Sequence, residues 1–186
     1  EVSEKVVLAI HGNMSDKADV PIRIVAENAL ANGWQVLSFD LPEHGDRINE
    51  DTPCKVQYCV EDLRVVMQYT KMNWKHIRLF ANSMGAYFSL LTYPNEPIEK
   101  AWFLSPIVDM QRLIQNMMMW FSVTEKELES KQIISTPIGQ NLYWDYYCFV
   151  REHPVSRWEI PTHILYGSKD ELCERDIISK FTELFA

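Results

Sequence analysis

No stretch of this sequence approaches the roughly 20 consecutive apolar residues that span a bilayer, so no membrane anchor or membrane partner is expected. Positive charge is also scarce. Eighteen Lys and Arg stand against 26 Asp and Glu, a net charge of −8, and the clustered cations that phosphate backbones or anionic lipid require are missing. Nucleic acid is therefore not an expected partner. Among the four cysteines, Cys54, Cys59, Cys148 and Cys173, there is no C-x-x-C pair and no metal-like grouping, which fits reduced thiols in a cytoplasmic protein better than a disulfide framework. No secretory leader is expected.

What is present is ordinary globular material, 186 residues with 47% hydrophobic and 24% charged, within the usual range of one domain. Lys5–Ile10 is β-branched and nearly all apolar, as in a strand covered on both faces. Val20–Asn32 carries Pro21 in a first helical turn and Ile22, Val25, Ala26, Ala29 and Leu30 at helical spacing, and closes at Gly33. Strand Gln35–Phe39, helix Val56–Lys71, strand His76–Phe80, helix Met84–Tyr93 and strand Lys100–Leu104 follow. Such alternation predicts an α/β chain with a doubly wound, mostly parallel sheet flanked by helices. It stops between Asp109 and Trp158, where a helical, aromatic-rich cap insertion (109–158) is expected within the single domain 1–186. Asp109 is expected to cap its first helix. Strand Thr162–Tyr166 and helix Glu174–Phe185 complete the pattern.

The most informative segment is Ala81-Asn82-Ser83-Met84-Gly85, a strand, a very tight turn and a helix with serine at the apex. Two readings fit it. One is a βα junction with an exposed serine. The other is a nucleophile elbow, whose serine projects into a cleft while the helix start offers backbone N–H groups to a developing oxyanion. The small residues at 81 and 85 suit the close passage of strand and helix, although Ala81 stands where the elbow consensus has glycine. His11-Gly12-Asn13 follows the first strand, so the N–H groups of Asn13 and Met84 could converge on one oxygen as an oxyanion hole. Asp40-Leu-Pro-Glu-His-Gly-Asp46 follows the second strand. Its Asp40, His44 and Asp46 lack a second ligand cluster, and no metal is expected there. Tyr166-Gly-Ser-Lys-Asp170 follows the last strand and offers an acid able to orient an imidazole.

These stations, HGN, DLPEHG, NSMG and YGSKD in order over residues 5–185, resemble the α/β-hydrolase-fold superfamily in its serine-esterase and lipase-like branch. The resemblance implies Ser83 as nucleophile, Asp170 as triad acid and the amides of Asn13 and Met84 as oxyanion hole. It implies hydrolysis of a carboxylic ester through an acyl-enzyme, with thioesters and amides as related substrates and no cofactor. Acyl transfer uses the same residues. A non-catalytic binding protein on the same fold is the alternative from another class. The sequence departs from the family at the catalytic histidine, which follows one further strand beyond the acid, whereas no histidine follows His163 here. His11, His44, His76, His153 and His163 are each unsuited by position, and the catalytic histidine is unassigned. The expectation is a stretch of a longer native chain. Met117–Phe121 and Tyr143–Tyr147 could line an acyl pocket or glue the cap helices in place. A small or medium uncharged ester is the expected partner.

Overall fold

The computed structural model describes residues 3–170 and 172–185. The chain divides into two compact units, one formed by Glu1–Val108 with Arg157–Ala186 and the other by Asp109–Ser156.

In the first unit, β1 (Lys5–Ile10), α1 (Val20–Ala31), β2 (Gln35–Ser38), α2 (Val56–Asn73), β3 (His76–Asn82), α3 (Met84–Thr92) and β4 (Ile98–Leu104) alternate. A single 3-10 turn, Gly45–Arg47, lies between β2 and α2. β1 has both of its alternating side-chain sets buried, Val6, Leu8 and Ile10 on one face and Val7 and Ala9 on the other. That is why its sequence is a continuous apolar run rather than a polar–apolar alternation. Val7, Ala9 and Phe80 pack with Ile22 and Ala29 of α1 and with Trp34, which follows that helix. Asp19 caps α1, its carboxylate accepting from the N–H of Ile22 at 3.0 Å, and Pro21 occupies the first turn where its missing N–H is not needed. Elsewhere in the unit, α2 packs on α3, and the buried Tyr93 hydroxyl donates to the Leu63 carbonyl at 2.8 Å.

The second unit opens with α4 (Met110–Trp120), capped by Asp109, whose carboxylate accepts from the N–H of Arg112 at 2.9 Å. α5 (Glu125–Lys131), β5 (Ile133–Ser135), β6 (Asn141–Tyr143) and α6 (Trp144–Glu152) follow. Beside the helices expected of this stretch the unit holds a hairpin that the sequence pattern does not announce, because β5 and β6 pair antiparallel. Their connection, Thr136-Pro-Ile-Gly-Gln140, turns at Gly139 with φ 77° and is closed by Thr136 N–H and Oγ1 donating to the Gln140 carbonyl at 3.0 and 2.6 Å. Three-residue strands are too short for an alternation to be visible in sequence. Within this unit α4 packs on α6, Met117, Met118, Tyr146 and Tyr147 are buried, and Met119 and Trp120 are exposed.

β7 (Thr162–Leu165) returns to the first unit, and α7 (Arg175–Phe185) closes the described chain. The sheet has order β2-β1-β3-β4-β7 with every pairing parallel, so all its strand carboxyl ends lie along one edge. The loops that carry Gly12, Asp40, Ser83 and Asp170 leave from that edge, where sites form in open α/β sheets.

Candidate active site

Ser83 links β3 directly to α3 with φ 49° and ψ −114°, a conformation that costs a non-glycine residue energy and persists only where surrounding structure enforces it. The enforcement is visible in three backbone bonds. The Ser83 N–H donates to the Leu104 carbonyl at 2.9 Å, and the Ser83 carbonyl accepts from Ile107 and Ala86 N–H, each at 3.1 Å. β4 and the loop after it therefore grip the turn from the side. As N-cap of α3, Ser83 makes no side-chain cap bond, so its hydroxyl is not spent on its own helix, and it is half-buried rather than enclosed.

The small residues around it answer to measured approaches. A Cβ on Gly85 would stand 2.9 Å from Ile10 Cγ2 and 3.0 Å from the Ile10 carbonyl, and closer still to the His11 carbonyl. Helix α3 thus runs against the end of β1. A Cβ on Gly12 would stand 3.0 Å from Ser83 Cβ and 3.2 Å from the Asn82 carbonyl, which places the loop after β1 directly beside the turn. Ala81 is fully buried, and its methyl group is accommodated. Met84 is the first residue of α3, so its N–H is among those that the helix itself leaves unpaired, at the positive end of the helix dipole.

Two histidines build the loop that carries Asn13. His11 is completely buried, its Nδ1–H donating to the Gly12 carbonyl at 2.7 Å and its Nε2 accepting from Leu41 N–H at 3.0 Å, and burial pushes its pKa down. It ties the loop after β1 to the loop after β2 as a neutral ring. His44 donates from Nδ1 to the Pro42 carbonyl at 2.8 Å and accepts at Nε2 from Met14 N–H at 3.1 Å, with Asn13 Oδ1 3.3 Å from the same nitrogen. Both rings therefore hold the backbone beside Ser83 rather than act on it. Their place in this neighbourhood is legible in the sequence, and the occupation of their nitrogens is not.

Asp40 is not free for a ligand either. Its carboxylate accepts from Lys17 N–H and Lys17 Nζ, both at 2.8 Å, and from Asp46 N–H at 3.0 Å, and Asp46 also pairs with Lys17. The loop is shut so tightly that a Cβ on Gly45, which has φ 51°, would collide with the Asp40 carboxylate. An open cleft of about 490 Å³ beside this clasp is lined by Lys17, Asp40, Asp46, Arg47 and Asp62, whose charges are paired among themselves, and none of the candidate site residues borders it.

Asp170 follows β7 and is half-buried, with Oδ1 accepting from the N–H groups of Leu172 and Cys173, both at 3.1 Å. The loop is anchored by Cys173, whose thiol donates to the Pro106 carbonyl at 2.7 Å. Among the described residues no histidine side chain is hydrogen-bonded to Ser83 or Asp170. His76 pairs with Glu99 at 2.6 Å, His163 stacks on Trp102, and His153 stacks on Phe149 and bonds its carbonyl at 2.9 Å. Ser105, at the end of β4, has φ 42° and donates its N–H to the Leu165 carbonyl at 2.7 Å, a second strained serine at the same edge.

No protein-family model matches the sequence, and no curated protein matches it. Solved structures do match. Est1E from Butyrivibrio proteoclasticus superposes with a TM-score of 0.79 at 17% identity, over 100% of this chain and 76% of its own, and it has also been solved with ferulic acid bound. α/β hydrolase domain-containing protein 10 from mouse gives 0.78 at 17% identity over 97% and 76%, and the Pyrococcus furiosus esterase Pf2001 gives 0.70 at 21% identity over 97% and 68%. At these identities the likeness establishes architecture, and the architecture is the α/β-hydrolase fold.

Proposed function

We propose that this α/β-hydrolase-fold chain is a serine hydrolase that cleaves a carboxylic ester through an acyl-enzyme on Ser83. The observation that carries the reading is the enforced Ser83 backbone, held at φ 49° with its hydroxyl unspent and with Gly12 and Gly85 at the closest approaches around it. Glycine adopts that conformation without strain, so a serine held there, its hydroxyl unspent and the backbone close on two sides, supports a role for the side chain. In the proposed reaction Ser83 Oγ attacks the acyl carbonyl and the N–H groups of Met84 and Asn13 receive the oxyanion. The alcohol leaves with a proton, and water then releases the acid. Asp170 is the proposed triad acid. The proposed substrate is a small or medium uncharged ester; thioesters and amides share the chemistry. The ferulic acid bound to Est1E is a carboxylic acid, the product class such a reaction releases.

A second reading, a non-catalytic binding protein on the same fold, is favoured by one observation: no histidine side chain is hydrogen-bonded to Ser83 or Asp170 among the described residues. General-base assistance contributes roughly 10²–10⁴-fold, so its source decides the turnover rate. The two readings separate on p-nitrophenyl esters of graded chain length. The hydrolase reading expects turnover that disappears in Ser83→Ala; ester binding with no turnover in either protein supports the binding module.

A further inference from the structure

Two cysteines meet outside the candidate Ser83 site. Cys54 precedes α2, just before its N-cap Lys55, and Cys59 lies in that helix, its N–H bonded to the Lys55 carbonyl at 3.0 Å. Their sulfurs are 3.7 Å apart. A disulfide needs about 2.05 Å, so closure requires less than 2 Å of further approach, and Cys54 stands outside the helix. Cys59 is fully buried, while Cys54 is partly exposed. The Cys54 N–H donates to Glu43 Oε2 at 2.7 Å, and the His44 ring lies against the Cys54 thiol. His44 already uses both nitrogens, on Pro42 and Met14, and no cluster of three or more metal-ligating side chains is found among the described residues.

The geometry points to a peroxide-reactive dithiol, in which Cys54 is the attacking thiolate and Cys59 the resolving thiol. The surroundings divide the roles. The Cys59 thiol, donating to Cys54, lowers the Cys54 pKa to about 6 against the effect of burial, with the neighbouring His44 ring adding to the fall and Glu43 opposing it. Cys59 is pushed well above the usual thiol value by the same bond and by burial, with Asp62 raising it further and Arg47 opposing. A thiolate at the start of an 18-residue helix also gains from the helix dipole. In the first step the Cys54 thiolate attacks a hydroperoxide, the O–O bond breaks, and the leaving alkoxide takes a proton to become an alcohol or, from hydrogen peroxide, water. In the second, the Cys59 sulfur attacks the sulfenic acid at Cys54 and displaces hydroxide, which with the Cys59 proton becomes water. Two thiols are oxidised and one peroxide is reduced. This chemistry does not depend on the ester-hydrolase reading.

The remaining cysteines serve as internal references. The Cys173 thiol is bonded to the Pro106 carbonyl and pushed up to about 12 by burial, and burial also raises Cys148. The test treats the reduced full chain with stoichiometric hydrogen peroxide, then alkylates it under denaturing conditions and maps the thiols by mass spectrometry. The expected product is an intramolecular Cys54–Cys59 disulfide with Cys148 and Cys173 still alkylated. Cys59→Ser is expected to leave a dimedone-trappable sulfenic acid on Cys54, and Cys54→Ser to leave Cys59 reduced. Near pH 6 Cys54 should be alkylated roughly tenfold faster than an unstructured cysteine peptide, the gain in thiolate fraction being partly offset by its lower nucleophilicity. Oxidation of Cys148 ahead of Cys54, a disulfide between chains only, or Cys54 alkylation at the peptide's rate would each overturn the proposal.

Discussion

At the scale of single residues, strain and close approach make different predictions from the same turn. Ser83 at φ 49° bears a conformational cost that glycine does not, so Ser83→Gly should raise stability by about 1 kcal/mol while removing the nucleophile. Gly85→Ala should do the reverse. Its new methyl meets the His11 carbonyl and Ile10, and about 1–3 kcal/mol of stability should be lost, read as a fall in urea midpoint at unchanged slope. Asp40 supplies a pH signature. Burial, the largest influence, pushes its pKa up, but Lys17 and the N–H groups of Asp46 and Lys17 together outweigh it and hold it below the usual 3.8. A carboxyl depressed on folding stabilises above its unfolded pKa, and that contribution is lost as pH falls through the folded value. Asp40→Asn should therefore be most costly near neutrality, and its deficit should shrink below about pH 4, a trend measurable from urea midpoints across pH. Ser83, Gly12 and Gly85 were legible in sequence because steric demand leaves small residues behind. The occupied nitrogens of His11 and His44 were not, because nothing in a sequence says which carbonyl a ring will meet.

Secondary-structure elements show where sequence patterns carry and where they fade. β1 matched its expected span of Lys5–Ile10, and the other sheet strands and helices differed from theirs by one or two residues at their ends, because long apolar periods survive local variation. β5 and β6 were missed because three-residue strands are too short to show an alternation, and their pairing rests on the hydrogen bonds of the Thr136–Gln140 turn. The segment 153–157 between α6 and β7 has no regular structure, and His153, Pro154, Ser156 and Arg157 are exposed. A protease of broad specificity should make its first cut there, before any within the sheet, as read by intact mass of the fragments. First cleavage inside β1 or β3 would contradict the packing described.

For the whole molecule, charge and topology point to different partners for different reasons. With a net charge of −8, the chain should not retard duplex DNA in a gel even at low salt, where phosphate contacts are strongest, and a shift there would contradict the charge argument. Among the described residues no helix is long and apolar enough to cross a membrane. The parallel sheet gathers the loops after β1, β3, β4 and β7 at one edge, and this convergence of HGN, NSMG and YGSKD was readable in sequence as an order of stations. The activating base was not readable, and the fold does not supply one from the five histidines among the contacts described. The central claim is that Ser83 is a nucleophile, and the most direct measurement is intact mass after treatment with a fluorophosphonate, followed by peptide mapping. The account predicts one adduct, on Ser83, absent from Ser83→Ala although that variant unfolds at a similar urea concentration. No adduct on the folded protein, or an adduct on Ser105 or another residue that persists in Ser83→Ala, would contradict it.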